Sequence, residues 1–154
     1  MQRRHRSNLH RARRGATILE MSIILSVFLM LTMGLLDLGL GIFRYHIITQ
    51  AARSTARKAI VHGSRASALG SWGPTAISSL ANAPGTPAVD YTIPHLTACD
   101  LDRTNIAIEW PDGDNTEGSH VNVTITSPYR PMFSWIFTRG EITLTARSTM
   151  IIAH

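Results

Sequence analysis

Glu20 is the residue whose type and setting most clearly predict chemistry in this 154-residue chain. It lies between a basic N-terminal segment and an apolar run over residues 21–43. An ionisable group at the edge of an apolar helix is costly to desolvate unless another group neutralises it, so we expect Glu20 to have a functional partner. The alternative is that Glu20 only marks the headgroup boundary. A second acid, Asp37, interrupts the far end of the run. We expect Asp37 at the interface with water, with a second contact between subunits as the alternative.

The other reactive side chains form no catalytic or metal-binding pattern. Cys99 is the single cysteine, which leaves a buried thiol or an intermolecular bridge open. The histidines show no spacing typical of a nucleophile and its base. The acidic turn over residues 111–118 offers carboxylates that could bind Ca²⁺, but it lacks the twelve-residue EF-hand spacing. We therefore predict no enzyme, no cofactor and no metal site. An enzyme tethered to the membrane by its helix is kept as an alternative.

Residues 21–43 predict a transmembrane helix. At a rise of 1.5 Å per residue, they span roughly 34 Å, against a hydrocarbon core of about 30 Å. The first two-thirds of the run is mostly Ile, Leu, Met, Val and Phe, with no polar face. Ser22 and Ser26 lie four residues apart on one side of this helix, a spacing of small residues that permits close contact between helices.

The charge distribution argues against nucleic acid as a partner. Six of the fifteen Lys and Arg precede Gly15, so nine basic residues face ten acidic ones in the remainder, a net charge of −1. Arginine clusters can bind phosphates, but this cluster adjoins a membrane span and has no interleaved aromatic residues. Basic residues flanking a span stay cytoplasmic, which predicts a cytoplasmic N-terminus and an extracytoplasmic C-terminal part. A conventional secretory signal is disfavoured, because the apolar region of such a signal is shorter than the run over residues 21–43.

Beyond the span, residues 44–62 predict an amphipathic continuation of the helix, with Gly63 as its stop. One side of it is rich in small and apolar residues: Ile48, Ala51, Ala52, Thr55, Ala59 and Ile60. Residues 63–87 are rich in Gly, Ser, Ala and Pro and predict a connector. Within this connector we expect a short helix over residues 74–82, and Trp72 is expected to dock on the local core.

The C-terminal part alternates between apolar and polar residues, which predicts antiparallel strands with one buried side. The turn over residues 111–118 joins the first two strands, and a weaker strand is expected over residues 88–93. The aromatic stretch over residues 132–137 is expected either to fold into the core or to form an exposed apolar edge. The residues expected to point inward are Ile106, Ile108 and Trp110, then Val121, Val123 and Ile125, then Ile142, Leu144 and Ala146.

These elements predict an α+β fold: a long N-terminal helix, transmembrane and then amphipathic, packed on a small antiparallel β-sheet head. We divide the chain into a basic leader (residues 1–15), the long helix (16–62), the connector (63–87) and a β-rich extracytoplasmic head (88–154).

The N-terminal third also resembles a known family. The chain begins with a basic block that ends at Gly15 and Ala16, and Glu20 follows four residues later, just before the apolar run. This order resembles the prepilin signal of type IV pilins and pseudopilins. From RRGATILE through GLLDLGLGIF to ITQAARSTARKA the chain resembles the TadE-like family, which comprises minor pilins or pseudopilins of tight-adherence (Flp) pilus systems. The residues that carry this resemblance are Gly15, Glu20, Gly34, Asp37, Ala51, Ala52, Arg53 and Arg57.

The resemblance implies a pilin-like fold and a sequence of events at the membrane. A prepilin peptidase would cut between Gly15 and Ala16, and Glu20 would face the freed amino group of Ala16 in a neighbouring subunit. The expected partners are that peptidase, other pilin or pseudopilin subunits, the pilus assembly platform and membrane lipid. The expected location is the inner (cytoplasmic) membrane, where the protein would be a single-pass protein. Incorporation into a surface pilus is a further option that the resemblance implies. The alternative is an unprocessed single-span envelope scaffold or adhesion protein with no filament role.

Overall fold

The N-terminal helix is the longest element of the protein. The computed structural model describes residues 6–66, 70–83, 85–132 and 140–153, with the side chains of this helix from Ala16 onward. Helix α1 (Arg6–Ala59) contains 54 residues. It has no proline, and its many Leu, Ile, Met and Ala residues favour an uninterrupted helix. The chain divides into two compact units, residues 1–39 and 40–154, and α1 contributes to both.

Residues 40–154 contain a four-stranded antiparallel sheet. Its strands are β1 (Ile77–Leu80), β2 (Asn105–Glu109), β3 (His120–Tyr129) and β4 (Ile142–Ile151). Their order in the sheet is β1-β2-β3-β4, so every strand pairs with its neighbours in the chain. In this register Ile108 pairs with Val123, and Ile125 with Ala146. The long helix and the small antiparallel sheet confirm the predicted α+β fold class.

The predicted short helix over residues 74–82 is wrong, because β1 lies there. Its residues alternate, with Ile77 and Ser79 half-buried and Ser78 and Leu80 exposed. Four residues are too few to show a period clearly in the sequence. Pairing with β2 determines the conformation of this segment instead. The sheet therefore begins inside the segment interpreted as a connector.

The predicted weak strand over residues 88–93 is also wrong. Helix α2 (Pro87–Thr92) occupies this segment and continues into a 3₁₀ turn (Ile93–His95). Pro87 stands in the first turn, where its missing N–H removes no helical hydrogen bond. The Thr92 hydroxyl donates to the Ala88 carbonyl (2.7 Å) and pairs with the Thr55 hydroxyl on α1 (2.8 Å). These buried bonds, which join α2 to α1, favour a helix over the strand suggested by β-branched residues.

The core combines one face of α1 with the inner face of the sheet. Most of the buried residues on that face are small, and Ile48 is the largest fully buried side chain among them. The inward positions predicted for β2 and β3 are all buried, including Trp110. In β4 Ala146 is buried, whereas Ile142 is 44% exposed, so the prediction for Ile142 is wrong. The buried residues of α1 are Ile48, Ala51, Ala52, Thr55, Ala56 and Ala59.

Trp72 docks on the core as predicted, and it does so through a stacked pair of rings. Its indole lies 4.3 Å from the His62 imidazole with an angle of 9° between the planes. His62 Nδ1 hydrogen-bonds the Gly70 carbonyl (2.7 Å), and the Asn115 amide donates to the Trp72 carbonyl (3.0 Å). These contacts hold the segment that follows α1 against the turn between β2 and β3. Residues 133–137 of the predicted aromatic stretch lie outside the described residues.

Gly73 tests how tightly this segment is packed. Its φ is +82°, and a Cβ there would lie 2.4 Å from the Trp110 ring. We expect Gly73→Ala to lower the free energy of unfolding by roughly 2–4 kcal/mol, from backbone strain and overpacking together. Thermal or denaturant unfolding measures this change.

Gly113→Ala is the matched control, since Gly113 has nearly the same φ (+79°) and open space around it. It should show the backbone effect alone, about 1–2 kcal/mol. Equal losses in the two variants would contradict the contact between Gly73 and Trp110.

Candidate functional site in the membrane helix

The side chains of α1 from Ala16 to Phe43 form an apolar and largely exposed surface. Within the described residues, α1 alone is long and apolar enough to cross a membrane. Large hydrophobic side chains such as Ile18, Leu25 and Leu35 are each more than half exposed. Water would make such exposure unfavourable by about 25 cal/mol per Å². The helix therefore fits a single-pass membrane protein.

Glu20 lies at the beginning of this surface. Its side chain is exposed, and it has no hydrogen bond or ion pair among the side chains described from Ala16 onward. Ala16 precedes it by four residues, so the two positions share one side of the helix, one turn apart. The structure therefore leaves the carboxylate available to a group from outside the chain.

The hydroxyl groups of the span are satisfied within α1. Ser22 Oγ donates to the Ile18 carbonyl (2.8 Å), and Ser26 Oγ donates to the Ser22 carbonyl (2.7 Å). Ser22 and Ser26 consequently add no unpaired donor to a lipid environment. Both side chains are exposed, and their role in close contact between helices stays a prediction.

Asp37 differs from the rest of the span in its burial. Its exposed fraction is 8%, whereas the neighbouring Leu36 and Leu38 are each more than half exposed. Its assignment to the water interface, or to a contact between subunits, stays a prediction.

The carboxylates of the acidic turn over residues 111–118 bind groups of the same chain. Asp112 accepts from the His120 backbone N–H (2.6 Å) and lies 2.8 Å from His120 Nδ1. Asp114 accepts a hydrogen bond from the Ser119 hydroxyl, and Glu117 pairs with Arg65 at 2.8 Å. The hydrogen bonds from His120 hold the pKa of Asp112 below its usual value, and the bond from Ser119 does the same for Asp114.

Metal ligands and the lone thiol were the other chemical possibilities. Among the described residues, no three His, Cys, Asp or Glu side chains are grouped to hold a metal ion. Cys99 is free and half-buried, and burial raises the pKa of its thiol despite a hydrogen bond with Ser127. A raised pKa keeps the thiol protonated and unreactive at neutral pH.

A groove along α1 was not anticipated from the sequence. It has a volume of about 420 Å³ and runs along the side of α1 opposite the core, between Phe43 and Arg57, with His95 as its wall. In the sequence the groove residues of α1 form a second stripe at helical spacing, which is mostly polar.

Comparison with known protein families locates the resemblance in α1. The family model described as TadE-like protein matches residues 15–57. Over this segment the chain is similar to the TadE-like family. The predicted resemblance is thereby confirmed for the segment that carries Glu20, Asp37 and the small-residue face of α1. The match indicates a protein associated with a tight-adherence pilus. The TadE-like segment ends two residues before α1 does, so the sheet lies outside it.

No curated protein and no solved structure matches the chain.

The bond between Asp112 and His120 predicts a pH dependence of stability. The folded pKa of Asp112 is lowered, so its stabilisation is present above the unfolded pKa of about 3.9 and is lost as pH falls through the folded value. We expect Asp112→Ala to lower the unfolding temperature at neutral pH. The difference from wild type should shrink as the pH falls below the folded value, where the carboxyl is protonated in both states.

Glu109→Ala is the control, because Glu109 is exposed and has no ion pair among the residues of the described ranges. It should change the unfolding temperature little at either pH. A difference for Asp112→Ala that is equally large in acid would contradict the electrostatic origin of this effect.

Proposed function

We propose that this protein is a minor pilin or pseudopilin that takes part in assembly of a tight-adherence pilus. The observation that carries the proposal is the exposed Glu20, one turn after Ala16, at the beginning of an apolar helix surface inside the TadE-like segment. Its function is association between subunits rather than catalysis. A prepilin peptidase removes residues 1–15, and the shortened chain joins other pilin subunits at the assembly platform of the inner membrane.

Removal of the leader changes the electrostatics at Ala16. The cut leaves a charged amino group at the positive end of the helix dipole, within the membrane interface. A bare ammonium group there is unfavourable, as is the bare carboxylate of Glu20. When the two groups meet between neighbouring helices, each relieves the desolvation penalty of the other. The pair forms only after cleavage, which makes assembly depend on processing.

The spacing of Ala16 and Glu20 also determines how neighbouring helices would be offset. Four residues of α-helix rise about 6 Å. If Glu20 of one subunit meets the Ala16 amine of the next at equal height, adjacent helices are staggered along their axes by about that distance. A constant stagger repeated between subunits produces a growing array rather than a closed dimer.

The two sides of the span favour such a head-to-tail contact. At 100° per residue, Ser22 and Ser26 lie about 200° and 240° around the axis from Glu20. Glu20 therefore occupies one side of the helix, and the small serine surface occupies the other. One side can approach the next subunit through the ion pair while the other packs closely against the preceding subunit.

Glu20→Ala tests the proposed pairing. The variant should insert in the membrane normally, because removing a charge from an apolar helix favours insertion. It should assemble poorly, with incorporation into pili reduced by an order of magnitude or more if the pair contributes at least about 1.4 kcal/mol. Immunoblotting of sheared pili and of membranes measures incorporation and insertion separately.

Two further variants make the Glu20 result specific. Glu20→Asp keeps the charge and should retain part of the incorporation. Thr32→Val removes a hydroxyl that is bonded to the Phe28 carbonyl within the same span (2.8 Å), and should assemble normally. Normal piliation by Glu20→Ala would favour the unprocessed envelope scaffold instead.

A further inference from the structure

The groove on the outer side of α1 changes in polarity along its length. Phe43 and Ile47 line the end nearest the apolar run, and His46 and Gln50 follow. Arg53 and Arg57 line the far end of the groove. A ligand that fits it therefore has an apolar part on the side of the span and an anionic part beyond it.

The far end of the groove carries uncompensated positive charge. All ten Asp and Glu of the chain lie within the described residues, and none lines the groove. Arg53 and Arg57 are exposed, and the ion pairs of the described residues involve other cations: Arg65, Arg103 and His120. An anion in the groove would meet two guanidinium groups without competition from a carboxylate of its own chain.

The wall of the groove is held in place by contacts of α1 with α2 and with the 3₁₀ turn that follows it. The Ser54 hydroxyl lies 3.2 Å from the Tyr91 hydroxyl and 3.5 Å from His95 Nε2. The rings of Tyr91 and His95 meet edge to face at 5.3 Å. The groove is therefore a built feature of residues 40–154 rather than a gap between mobile side chains.

We propose that this groove binds the headgroup of an anionic phospholipid. The apolar run ends at Phe43, which places the edge of the hydrocarbon core at the lower end of the groove. The interfacial layer extends about 5–7 Å further. His46, about 4.5 Å above Phe43 along the helix, lies at the height of lipid phosphates, and Gln50 lies about 10.5 Å above Phe43, beyond that layer. Arg53 lies about 15 Å above Phe43, and because helical side chains lean toward the N-terminus, its guanidinium extends back toward the phosphates.

A second copy of this chain is the less favourable occupant. Its most acidic segment is the turn over residues 111–118, and the carboxylates there already have partners. Asp112 is bound by His120, Asp114 by Ser119 and Glu117 by Arg65. A lipid phosphate has no such competing partner, and it is present wherever the helix spans a bilayer. The proposal requires only that the apolar run crosses a bilayer, and it stands independently of pilus assembly.

Position-resolved crosslinking tests the lipid site, since the basic N-terminal segment would attract anionic lipid at the other end of the span. The full chain is reconstituted in nanodiscs of phosphatidylcholine with a minor share of phosphatidylglycerol bearing a photoreactive headgroup. Crosslinks are mapped by mass spectrometry to the peptide containing His46 and Gln50. Wild type should crosslink there, and Arg53→Gln should lower the yield about fivefold, the effect of one arginine at a charged surface.

Two controls and two competitors decide between occupants. Arg57→Gln, one turn further from the span, should lower the yield less than Arg53→Gln does, and Arg147→Gln, exposed on β4, should leave it unchanged. Equal yield with a photoreactive phosphatidylcholine, or an equal loss in Arg147→Gln, would overturn the proposal. Competition by inorganic phosphate would identify a free-anion site instead. Competition by a peptide of residues 111–118 would identify an acidic protein partner.

Discussion

The packing of one small-residue face of α1 on the sheet is the interaction on which residues 40–154 depend. Ala51, Ala52, Ala56 and Ala59 present little side chain, and all four are buried in the core. The Thr55 hydroxyl on the same face bonds to α2, which satisfies the polar group that this burial would otherwise leave unpaired. A single cysteine excludes a disulfide within the chain, so this core carries the stability of the fold.

The packed face of α1 also determines what its other sides can do. With the core on one side, the opposite side from Phe43 to Arg57 is left for a ligand, and it forms the basic groove. Between residues 16 and 43 no such division exists, because the helix is apolar on nearly every side and only Glu20 and Asp37 are charged. The change from a uniformly apolar helix to a two-sided one marks the boundary between lipid and water. The proposed contact of Glu20 lies before that boundary, and the proposed lipid site in the basic groove lies after it.

The sequence predicted those elements whose period is long enough to read. Strands β2 and β3 alternate cleanly, and the buried face of α1 repeats over three turns, so both were predicted correctly. Residues 77–80 and 87–92 were predicted wrongly because partners distant in sequence determine their conformation. Residues 77–80 pair with β2, and Thr92 at the end of 87–92 bonds to Thr55 of α1. Ile142 has the apolar character of an inward residue, but it lies at the end of an edge strand, where the core no longer covers it.

The candidate site was predictable for a different reason. Glu20 is conspicuous because a carboxylate beside an apolar run violates the usual hydrophobic pattern, and a violated pattern can be read without a structure. The hydrogen bonds of Ser22 and Ser26, the closed acidic turn and the stack of His62 on Trp72 depend on side-chain geometry. Spacing alone does not contain that geometry. The basic groove depends on which side of α1 the sheet covers, which the alternation of the strands does not reveal.

The N-terminal residue of the protein in its native membrane is the most direct test of the central claim, that cleavage after Gly15 frees the amino group of Ala16 for assembly. Intact-mass measurement and N-terminal sequencing should be compared in cells with and without prepilin peptidase. The account predicts a chain that begins at Ala16 when the peptidase is present, and the full 16.9 kDa chain when it is absent. A chain of 16.9 kDa beginning at Met1 in both cells would contradict it.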